Sequence, residues 1–281
     1  MQVHAQPKAL EKSGSASHLS PLHKMLASLE IQTDAKRLNA IVNHPDIYPW
    51  VCGASKKPLD FTEAIERDDV MVLLGEHGGV TFNQLQPGLW EAHAQILQEG
   101  HGAWALSCVQ ACFHWLFTRT DAVEVLMRCP KGILRALSMA RALHGVYEFT
   151  NPNGWVLDGK SVATAIYSVK IQDWMRQAPG LVERGRWFTQ RLEQEIGKHG
   201  RTFEPSDVSD PLVDRYAGAA AEMFLNGQPV KAVIFYNRVA ELMGCVSIGL
   251  AGFEPLTIDI RTAKIVVQDG DFWVERITPL N

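Results

Sequence analysis

The chain has 281 residues, of which 46% are hydrophobic and 21% charged, a composition typical of a globular protein with a full hydrophobic core. The chain has 27 lysines and arginines and 31 aspartates and glutamates, which gives a formal net charge of -4. It therefore lacks the excess of basic residues that would predict binding to nucleic acid or to an anionic membrane. No apolar run reaches the roughly 18 residues of a transmembrane helix, so we expect no membrane span.

The N-terminal segment, residues 1–34, is predicted to be a flexible tail followed by a short amphipathic helix near 22–29. Residues 1–20 are rich in serine, glycine and lysine, and they lack the apolar centre of a secretory signal. Without such a signal, the odd number of five cysteines predicts reduced thiols in a cytosolic compartment.

Cys108 and Cys112 lie four residues apart in an apolar segment. This spacing is compatible with a metal-binding pair or with two buried thiols. The lack of a Cys-x-x-Cys motif favours buried thiols, because cysteine commonly packs as a small apolar residue. We therefore predict no metal site.

Several short elements are predicted ahead of the candidate site. Arg37–Asn43 is compatible with a first strand, and the two prolines of His44-Pro-Asp-Ile-Tyr-Pro-Trp50 predict an extended or turning loop. Asp60-Phe-Thr-Glu63 has the pattern of a capping box that opens a short helix to about Arg67. The strands predicted next are Val70–Leu74, Val80–Leu85 after a turn at Gly78-Gly79, and Leu89–Ile96.

The strand Leu89–Ile96 carries the first candidate site residues. Its alternation predicts a core face made by Trp90, Ala92, Ala94 and Ile96. The opposite face then holds Glu91 and His93, a carboxylate and an imidazole spaced by one residue, together with Gln95. Such a pair suits acid–base chemistry, and the alternative is an ordinary sheet face partly open to solvent.

A glycine turn and a long helix follow this strand directly. Gln98-Glu-Gly-His-Gly-Ala103 leads into a segment with apolar residues at helical spacing, which ends near Thr120. Glycines allow a phosphate to approach the backbone, and a first helical turn presents free N–H groups with partial positive charge. The position between strand and helix therefore favours anion binding at Gly100 and Gly102, although tight turns need glycine in any case.

The remaining elements predict a mixed α/β sheet and a second, α+β unit at 181–281. The sheet would be completed by strands at Ala122–Met127, Tyr147–Phe149 and Ser161–Val169, a helix at Gly132–His144 and a turn at Asn151–Gly154. In the second unit, helices are predicted at 181–196, 211–225 and 230–243, and strands at 245–250, 257–260, 264–267 and 271–277, with a hairpin turn at Asp269-Gly270.

Five motifs over residues 35–172 occur in a recognisable order. They are His44-Pro-Asp-Ile-Tyr-Pro-Trp50, Trp90-Glu-Ala-His93, Gln98-Glu-Gly-His-Gly-Ala103, Trp115-Leu-Phe-Thr-Arg-Thr120 and Met127-Arg-Cys-Pro130. Together they make the chain similar to the Gcn5-related N-acetyltransferase (GNAT) superfamily, and more closely to GNAT-like proteins encoded by tailed bacteriophages. The resemblance implies a GNAT-like acyl-CoA N-acyltransferase fold for a domain at 35–175, with the α+β unit as a C-terminal extension.

The resemblance also implies a mechanism and its residues. Acetyl-CoA, or another acyl-CoA, would lie between two splayed parallel strands, Leu89–Ile96 and Ala122–Met127. Glu91 would be the base that deprotonates a small-molecule or protein amine, with His93 as its neighbour. The residues implied to bind the cofactor are Gln98, Gly100, His101, Gly102 and Ala103.

The chain departs from the family pattern at three places. Leu97 stands where the family usually has Gln or Arg, Pro130-Lys-Gly132 stands where it often has Asn, and Arg141 stands where it often has the tyrosine that protonates the leaving thiolate. Tyr147 is near that position, but by its spacing it belongs to the next strand.

Two functions therefore stay open. One is an acyl-CoA-dependent N-acetyltransferase in the host cytoplasm. The other is a non-enzymatic phage protein of head assembly or of the ejection apparatus, located in the virion with other virion proteins as partners. Neither function requires a nucleic-acid or membrane partner.

Overall fold

The computed structural model describes residues 21–186 apart from 158, 179 and 184, residues 211–239 apart from 229, 230, 233, 236 and 237, and the segments 247–249, 267–269 and 272–276. The helices are α1 (Pro21–Ser28), α2 (Lys36–Val42), α3 (Tyr48–Val51), α4 (Thr62–Ile65), α5 (Ala103–Arg119), α6 (Leu134–Ala142), α7 (Ile171–Gln177) and α8 (Pro211–Leu225). The strands are β1 (Glu30–Ile31), β2 (Val70–Gly75), β3 (Gly78–Gln86), β4 (Leu89–Ile96), β5 (Glu124–Pro130), β6 (Val146–Leu157), β7 (Lys160–Lys170), β8 (Ser247–Gly249), β9 (Val267–Asp269) and β10 (Phe272–Arg276). The predicted tail at 1–20 and the predicted strand at 257–260 lie outside the described residues.

Seven of the strands form one sheet in the order β1-β2-β3-β4-β5-β7-β6. Neighbouring strands in this sheet run antiparallel, except that β4 and β5 run parallel. Parallel neighbours need a crossover connection, and α5 provides it. The predicted fold class, a mixed α/β sheet, is confirmed.

The face of the sheet that packs on α5 holds the larger part of the core. Phe82 of β3 meets Phe113 of α5 with ring centroids 5.8 Å apart, and Phe113 meets Phe117 one turn further along the helix. All three rings are buried, and burial of each such side chain stabilises the fold by roughly 1.5–3 kcal/mol. This packing fixes the position of α5, and therefore of its N-terminus, relative to the sheet.

The predicted strand at 37–43 is wrong, because this segment forms the helix α2. Leu38, Ile41 and Val42 have the spacing i, i+3 and i+4, and they make one buried face that packs against β2. A short run with two β-branched residues fits the period of a strand or of a helix, and packing against the sheet decides between them.

The capping box predicted at Asp60 does not form. Oδ1 of Asp60 accepts hydrogen bonds from the backbone N–H and the hydroxyl of Thr62, two residues on, and the N-cap position itself is occupied by Phe61. The carboxylate therefore closes a local turn. The predicted helix is present, but it ends at Ile65.

The hairpin of β6 and β7 turns later than the sequence pattern predicts. Asn151–Gly154 lies inside β6, where the pairing with β7 is interrupted between Asn151 and Trp155. Gly154 approaches Thr164 so closely that a Cβ at this position would lie 2.8 Å from the Thr164 Cβ. The turn-like motif is therefore a bulge, and β6 continues beyond it to Trp155 and Leu157.

Beyond the sheet, α8 coincides with the helix predicted at 211–225 and packs on α5 and α7. Ala217, Ala220 and Met223 of α8 belong to the same buried cluster as the α5 side chains. Nζ of Lys231 donates hydrogen bonds to the carbonyl oxygens of Phe117, Thr120 and Ala122 at the C-terminal end of α5, at 2.5, 3.0 and 2.8 Å. The boundary predicted near residue 181 stays a prediction.

β8, β10 and β9 form a separate three-stranded antiparallel sheet. β9 and β10 pair across the hairpin that Asp269-Gly270 predicts. In the part of the chain that the structure describes, no helix combines the length and the apolar character that a membrane span requires.

Candidate functional site

The parallel strands β4 and β5 pair only over their first halves. Their register runs from Leu89 opposite Glu124 to Ala92 opposite Met127 and then ends. Beyond that point β4 stays paired with β3 as far as Ile96, and β5 stays paired with β7 as far as Pro130. The two strands therefore separate, as the sequence resemblance implies, and they leave a gap that opens toward their C-terminal ends.

The side chains along the gap differ from the predicted pattern at one place. Trp90, Ala92 and Ile96 are buried, as predicted for the core face of β4. Ala94 is exposed, because it lies where β4 has lost its parallel neighbour. The gap thus has a small side chain on this wall.

The two glycines of the turn after β4 have different roles. A Cβ on Gly100 would lie 2.6 Å from the Cβ of His77 and 2.9 Å from Trp104, so Gly100 is required by close packing. Gly102 has a φ of +90°, which favours glycine, and the space around its Cβ position is open. The open side of the turn therefore lies at Gly102, next to the first residue of α5.

The N-terminus of α5 carries free backbone donors. Within the described residues, the N–H groups of Gly100 and His101 bond to the carbonyls of Leu97 and Gln98. The next backbone N–H with a partner is that of Leu106, which bonds to the carbonyl of the N-cap Gly102. No side chain caps this 17-residue helix at its N-cap, Gly102. The free N–H groups at 102–105 make this end of the helix suitable for an anion.

His101 connects the two walls at the open end of the gap. Its Nε2 donates to the carbonyl of Ile96, 3.2 Å away, at the end of β4. Its Nδ1 accepts a hydrogen bond from Nη1 of Arg135 at 3.1 Å, and Arg135 lies in the first turn of α6, which follows β5. Both ring nitrogens are thereby occupied, and Arg135 places a positive charge beside the N-terminus of α5. Gln98 itself is exposed.

Glu91 and His93 lie together on the opposite face of β4, as the alternation predicts. Oε1 of Glu91 is 2.8 Å from Nε2 of His93, and Oε2 is 2.8 Å from Nη2 of Arg128 on β5. The Glu91 side chain is only 5% exposed, so this part of the face is not open to solvent at Glu91. Both carboxylate oxygens are therefore engaged.

The surroundings of Glu91 favour its ionised form. Burial alone would raise the pKa of Glu91, but the hydrogen bond and charge of His93, together with the charge and hydrogen bond of Arg128, outweigh burial and hold the pKa below its ordinary value of 4.5. A carboxylate with a lowered pKa and two occupied oxygens has little capacity to accept a further proton.

His93 is more accessible than Glu91, with a side chain 26% exposed. Because Nε2 donates to a carboxylate, the neutral ring presents Nδ1 as a proton acceptor. In the described residues Nδ1 has no hydrogen-bond partner. The ring of Trp155 lies 6.3 Å away, and Nε1 of Trp155 donates to the carbonyl of Trp50 at 3.0 Å, which joins the bulged strand β6 to α3 beside the site.

Three side chains of this region were not singled out from the sequence: Arg128, Arg135 and Trp155. Arg128 could have been found, because residues two apart on a strand share a face and the parallel pair places Leu126 opposite Glu91. Arg135 and Trp155 could not, because their positions depend on the start of α6 and on the bulge in β6.

Other candidate residues from the sequence lie elsewhere. Tyr147 belongs to β6, as its spacing predicted, and its hydroxyl is hydrogen-bonded to that of Thr150. Cys108 and Cys112 are buried against β3 and β2, with Sγ atoms 3.9 Å from the carbonyl of Gly78 and 4.0 Å from that of Leu73. Among the described residues no three His, Cys, Asp or Glu side chains are arranged to hold a metal ion.

Comparison with known proteins gives similarity to solved structures only. No protein-family model matches the chain, and no curated protein matches its sequence. Spermidine N-acetyltransferase from Vibrio cholerae, solved with CoA and spermine, is 12% identical over 53% of this chain and 99% of its own, with a TM-score of 0.45. The ribosomal-protein-S5-alanine acetyltransferase of Vibrio fischeri is 12% identical over 52% and 95%, with a TM-score of 0.42.

An acetyltransferase of the GNAT family from Bacillus anthracis is similar to the same extent, with 9% identity over 51% of this chain and 95% of its own and a TM-score of 0.42. At these identities and scores the likeness concerns the course of the backbone over about half of the chain. The ligands and substrates named for these enzymes are properties of those enzymes.

Proposed function

We propose that the chain is an acyl-CoA-dependent N-acyltransferase of the GNAT type, which transfers an acyl group, acetyl in the first instance, to an amine. One observation supports this proposal most. The pairing of β4 with β5 ends halfway along β4, and the chain then leads into the N-terminus of α5, where backbone N–H groups are free. This arrangement offers an extended slot and an anion site at one end of it, which matches a long thioester with a diphosphate.

The residues that surround the gap fit this cofactor class. The free N–H groups at 102–105 suit phosphate oxygens, the open space at Gly102 leaves room for them, and Arg135 adds a positive charge. The unpaired edge of β4 at 93–96 offers backbone hydrogen-bonding groups to the amides of a pantetheine arm. When bound, acyl-CoA supplies a thioester carbonyl that an amine can attack.

In this proposal His93 is the general base. An ammonium ion has no lone pair, so Nδ1 of His93 must take a proton before the amine can attack the carbonyl carbon. A C–N bond then forms as the C–S bond breaks, the nitrogen releases its second proton to solvent to give the amide, and the departing thiolate takes a proton from solvent. Accurate placement of the amine contributes most of the remaining acceleration.

Glu91 positions His93 in this scheme. Its carboxylate accepts the Nε2 proton of His93, which selects the ring tautomer with a free Nδ1 and stabilises the ring after it is protonated. Sequence patterns alone do not distinguish the two roles, since both residues lie on one strand face. The difference in side-chain exposure favours His93 as the base.

The direct experiment is a titration with acetyl-CoA that follows unfolding by urea. A ligand at about 100 times its dissociation constant raises the free energy of unfolding by roughly 2.7 kcal/mol. We expect this increase with acetyl-CoA and with CoA, and no increase with an adenine nucleoside lacking phosphate. Unchanged stability at millimolar acetyl-CoA contradicts the proposal.

The second function considered from the sequence, a phage protein of head assembly or ejection, remains a separate proposal, as does a phage origin. No contact in the described part of the chain favours it. Its test is whether purified particles contain the chain in a fixed copy number. An active enzyme would instead act in the host cytoplasm.

A further inference from the structure

Arg128 holds unused hydrogen-bond donors beside the proposed base. It is the first residue of β5 beyond the part paired with β4, and its side chain is 45% exposed. Nη2 donates to Glu91, while Nε and Nη1 have no partner among the described residues. A guanidinium binds a carboxylate through two parallel hydrogen bonds from two nitrogens that share an edge, and Nη1 with the second N–H of Nη2 forms such an edge.

His93 and Arg128 are held in one position relative to each other. Nε2 of His93 and Nη2 of Arg128 contact the two oxygens of the same buried carboxylate, that of Glu91. Because both side chains contact one carboxylate, Nδ1 of His93 and the free nitrogens of Arg128 lie within the span of one small molecule. That molecule would meet a proton acceptor and a carboxylate receptor at the same time.

The other groups on this face leave Nε and Nη1 of Arg128 available as hydrogen-bond donors. Glu91 balances the charge of Arg128, since His93 is neutral in this scheme, and its oxygens are already occupied. The carboxylate of Glu148 on β6 accepts a hydrogen bond from the hydroxyl of Ser168 on β7, on the far side of β5 from Glu91. Trp155 provides an apolar ring next to His93.

We infer that the acceptor is a free amino acid: Arg128 holds its carboxylate while its amine faces Nδ1 of His93. This inference rests on the proposed function, because it assigns the amine to the same base. A polyamine has no anionic group for Arg128 and carries charges that Arg128 repels. An apolar side chain on the amino acid would lie against Trp155.

The test compares phenylalanine with phenylalaninamide, which share the amine and the side chain and differ in the carboxylate. The amide has the more easily deprotonated amine, so intrinsic reactivity favours it at neutral pH. Binding is measured by calorimetry on the full chain with CoA present, and acetyl transfer is measured by release of free CoA thiol. We expect phenylalanine to be preferred by about 10-fold or more in both readouts, since the lost hydrogen bonds are to charged groups.

Two variants show whether Arg128 is the receptor. In Arg128→Lys the positive charge remains but the paired hydrogen bonds cannot form, so the preference for the acid should fall to about 3-fold or less. The matched control is Arg67→Lys, because Arg67 lies before β2 and pairs with Asp69. It should keep the wild-type preference. An unchanged preference in Arg128→Lys overturns the assignment of the receptor.

The outcomes separate this inference from the proposed function. If acetyl-CoA binds and the amide or spermidine is bound and acetylated as well as phenylalanine or better, the inference fails and the acyltransferase proposal stands. If acetyl-CoA does not bind, the proposed function fails, and binding of the acid and the amide without CoA then decides whether the amino-acid site exists. Preference for the acid in that measurement keeps the site, and equal binding removes it.

Discussion

Glu91 and His93 occupy the same strand face, and their different surroundings give them different capacities for a proton. Glu91 is buried under two cationic or hydrogen-bonding neighbours, and these hold its pKa below the ordinary value against the effect of burial. His93 is reached by solvent and has one free ring nitrogen. The proposed division of roles, base for His93 and positioning residue for Glu91, follows from this difference.

The role of His93 predicts the behaviour of His93→Ala. Loss of a general base should lower kcat for acetyl transfer by about 10²–10⁴-fold, with the dissociation constant of acetyl-CoA nearly unchanged. Added imidazole should restore part of the activity, since it can take the proton in the space left by the side chain. Initial rates with and without imidazole measure this. Full activity in the variant would show that another group is the base.

The charge of Glu91 predicts a pH-dependent contribution to stability. The folded-state pKa lies below the unfolded value near 4.5, so the contribution is fully present above that pH and is lost as the pH falls through the folded-state pKa. Urea midpoints of the wild type and of Glu91→Gln should therefore differ at pH 7 and converge toward pH 3. A difference that stays constant over this range argues against an ionised, paired Glu91.

At the scale of elements, the turn between β4 and α5 contains two glycines with different roles: Gly100 is required by packing, and Gly102 leaves space for a ligand. Gly100 is needed because His77 and Trp104 fill the space where a side chain would lie. Gly102 leads into α5 with a positive φ, and the space beside it is open. The amides that follow are free because the helix begins there without a side-chain cap.

Ala103→Pro tests these amides without disturbing the helix. Ala103 is the first residue of α5, a position where proline is well tolerated because its N–H makes no bond within the helix. The change removes one donor, so the dissociation constant of acetyl-CoA should rise about 10-fold. The urea midpoint without ligand should stay within a few per cent of the wild type. Unchanged affinity would place the phosphate groups elsewhere.

For the whole molecule, α8 and Lys231 tie the C-terminal part of the described chain to α5. The buried side chains of α8 share one cluster with those of α5, and Lys231 occupies the last carbonyls of that helix. The helix that presents the proposed phosphate site at its N-terminus is thus held at its C-terminus by residues beyond 181.

A chain that ends at residue 180 tests this dependence. It loses the cover of α5 and α7 and the ammonium group at the end of α5, so we expect it to be insoluble or to unfold without a cooperative transition. Circular dichroism during urea unfolding measures this. A soluble fragment with the midpoint of the full chain would instead show that residues 1–180 fold without the C-terminal unit, as the predicted boundary near 181 implies.

The parts of this structure that local patterns determine were predictable. The alternation of apolar and polar residues over 89–96 fits only a strand, and it predicts β4 with its observed ends. Apolar residues at helical spacing after a glycine turn predict α5. The pairing of Glu91 with His93 followed from the same alternation. The mixed sheet followed from the order of strands and helices.

Features that depend on tertiary packing were not predictable. The apolar residues of 36–42 fit the period of a strand as well as that of a helix. Packing against β2 stabilises the helix. Asn151–Gly154 has turn composition, but pairing with β7 extends β6 through it. The positions of Trp155 beside His93 and of Arg135 beside His101 combine residues distant in sequence, which no single segment reveals.

The central claim is that an acyl-CoA lies between the separated halves of β4 and β5 with its phosphates at the start of α5. Hydrogen–deuterium exchange with and without CoA measures this most directly. The account predicts slower exchange at 93–96 and 102–105, with the paired residues 89–92 unchanged. Saturating CoA that leaves both segments unprotected, or protects a different part of the chain, would contradict it.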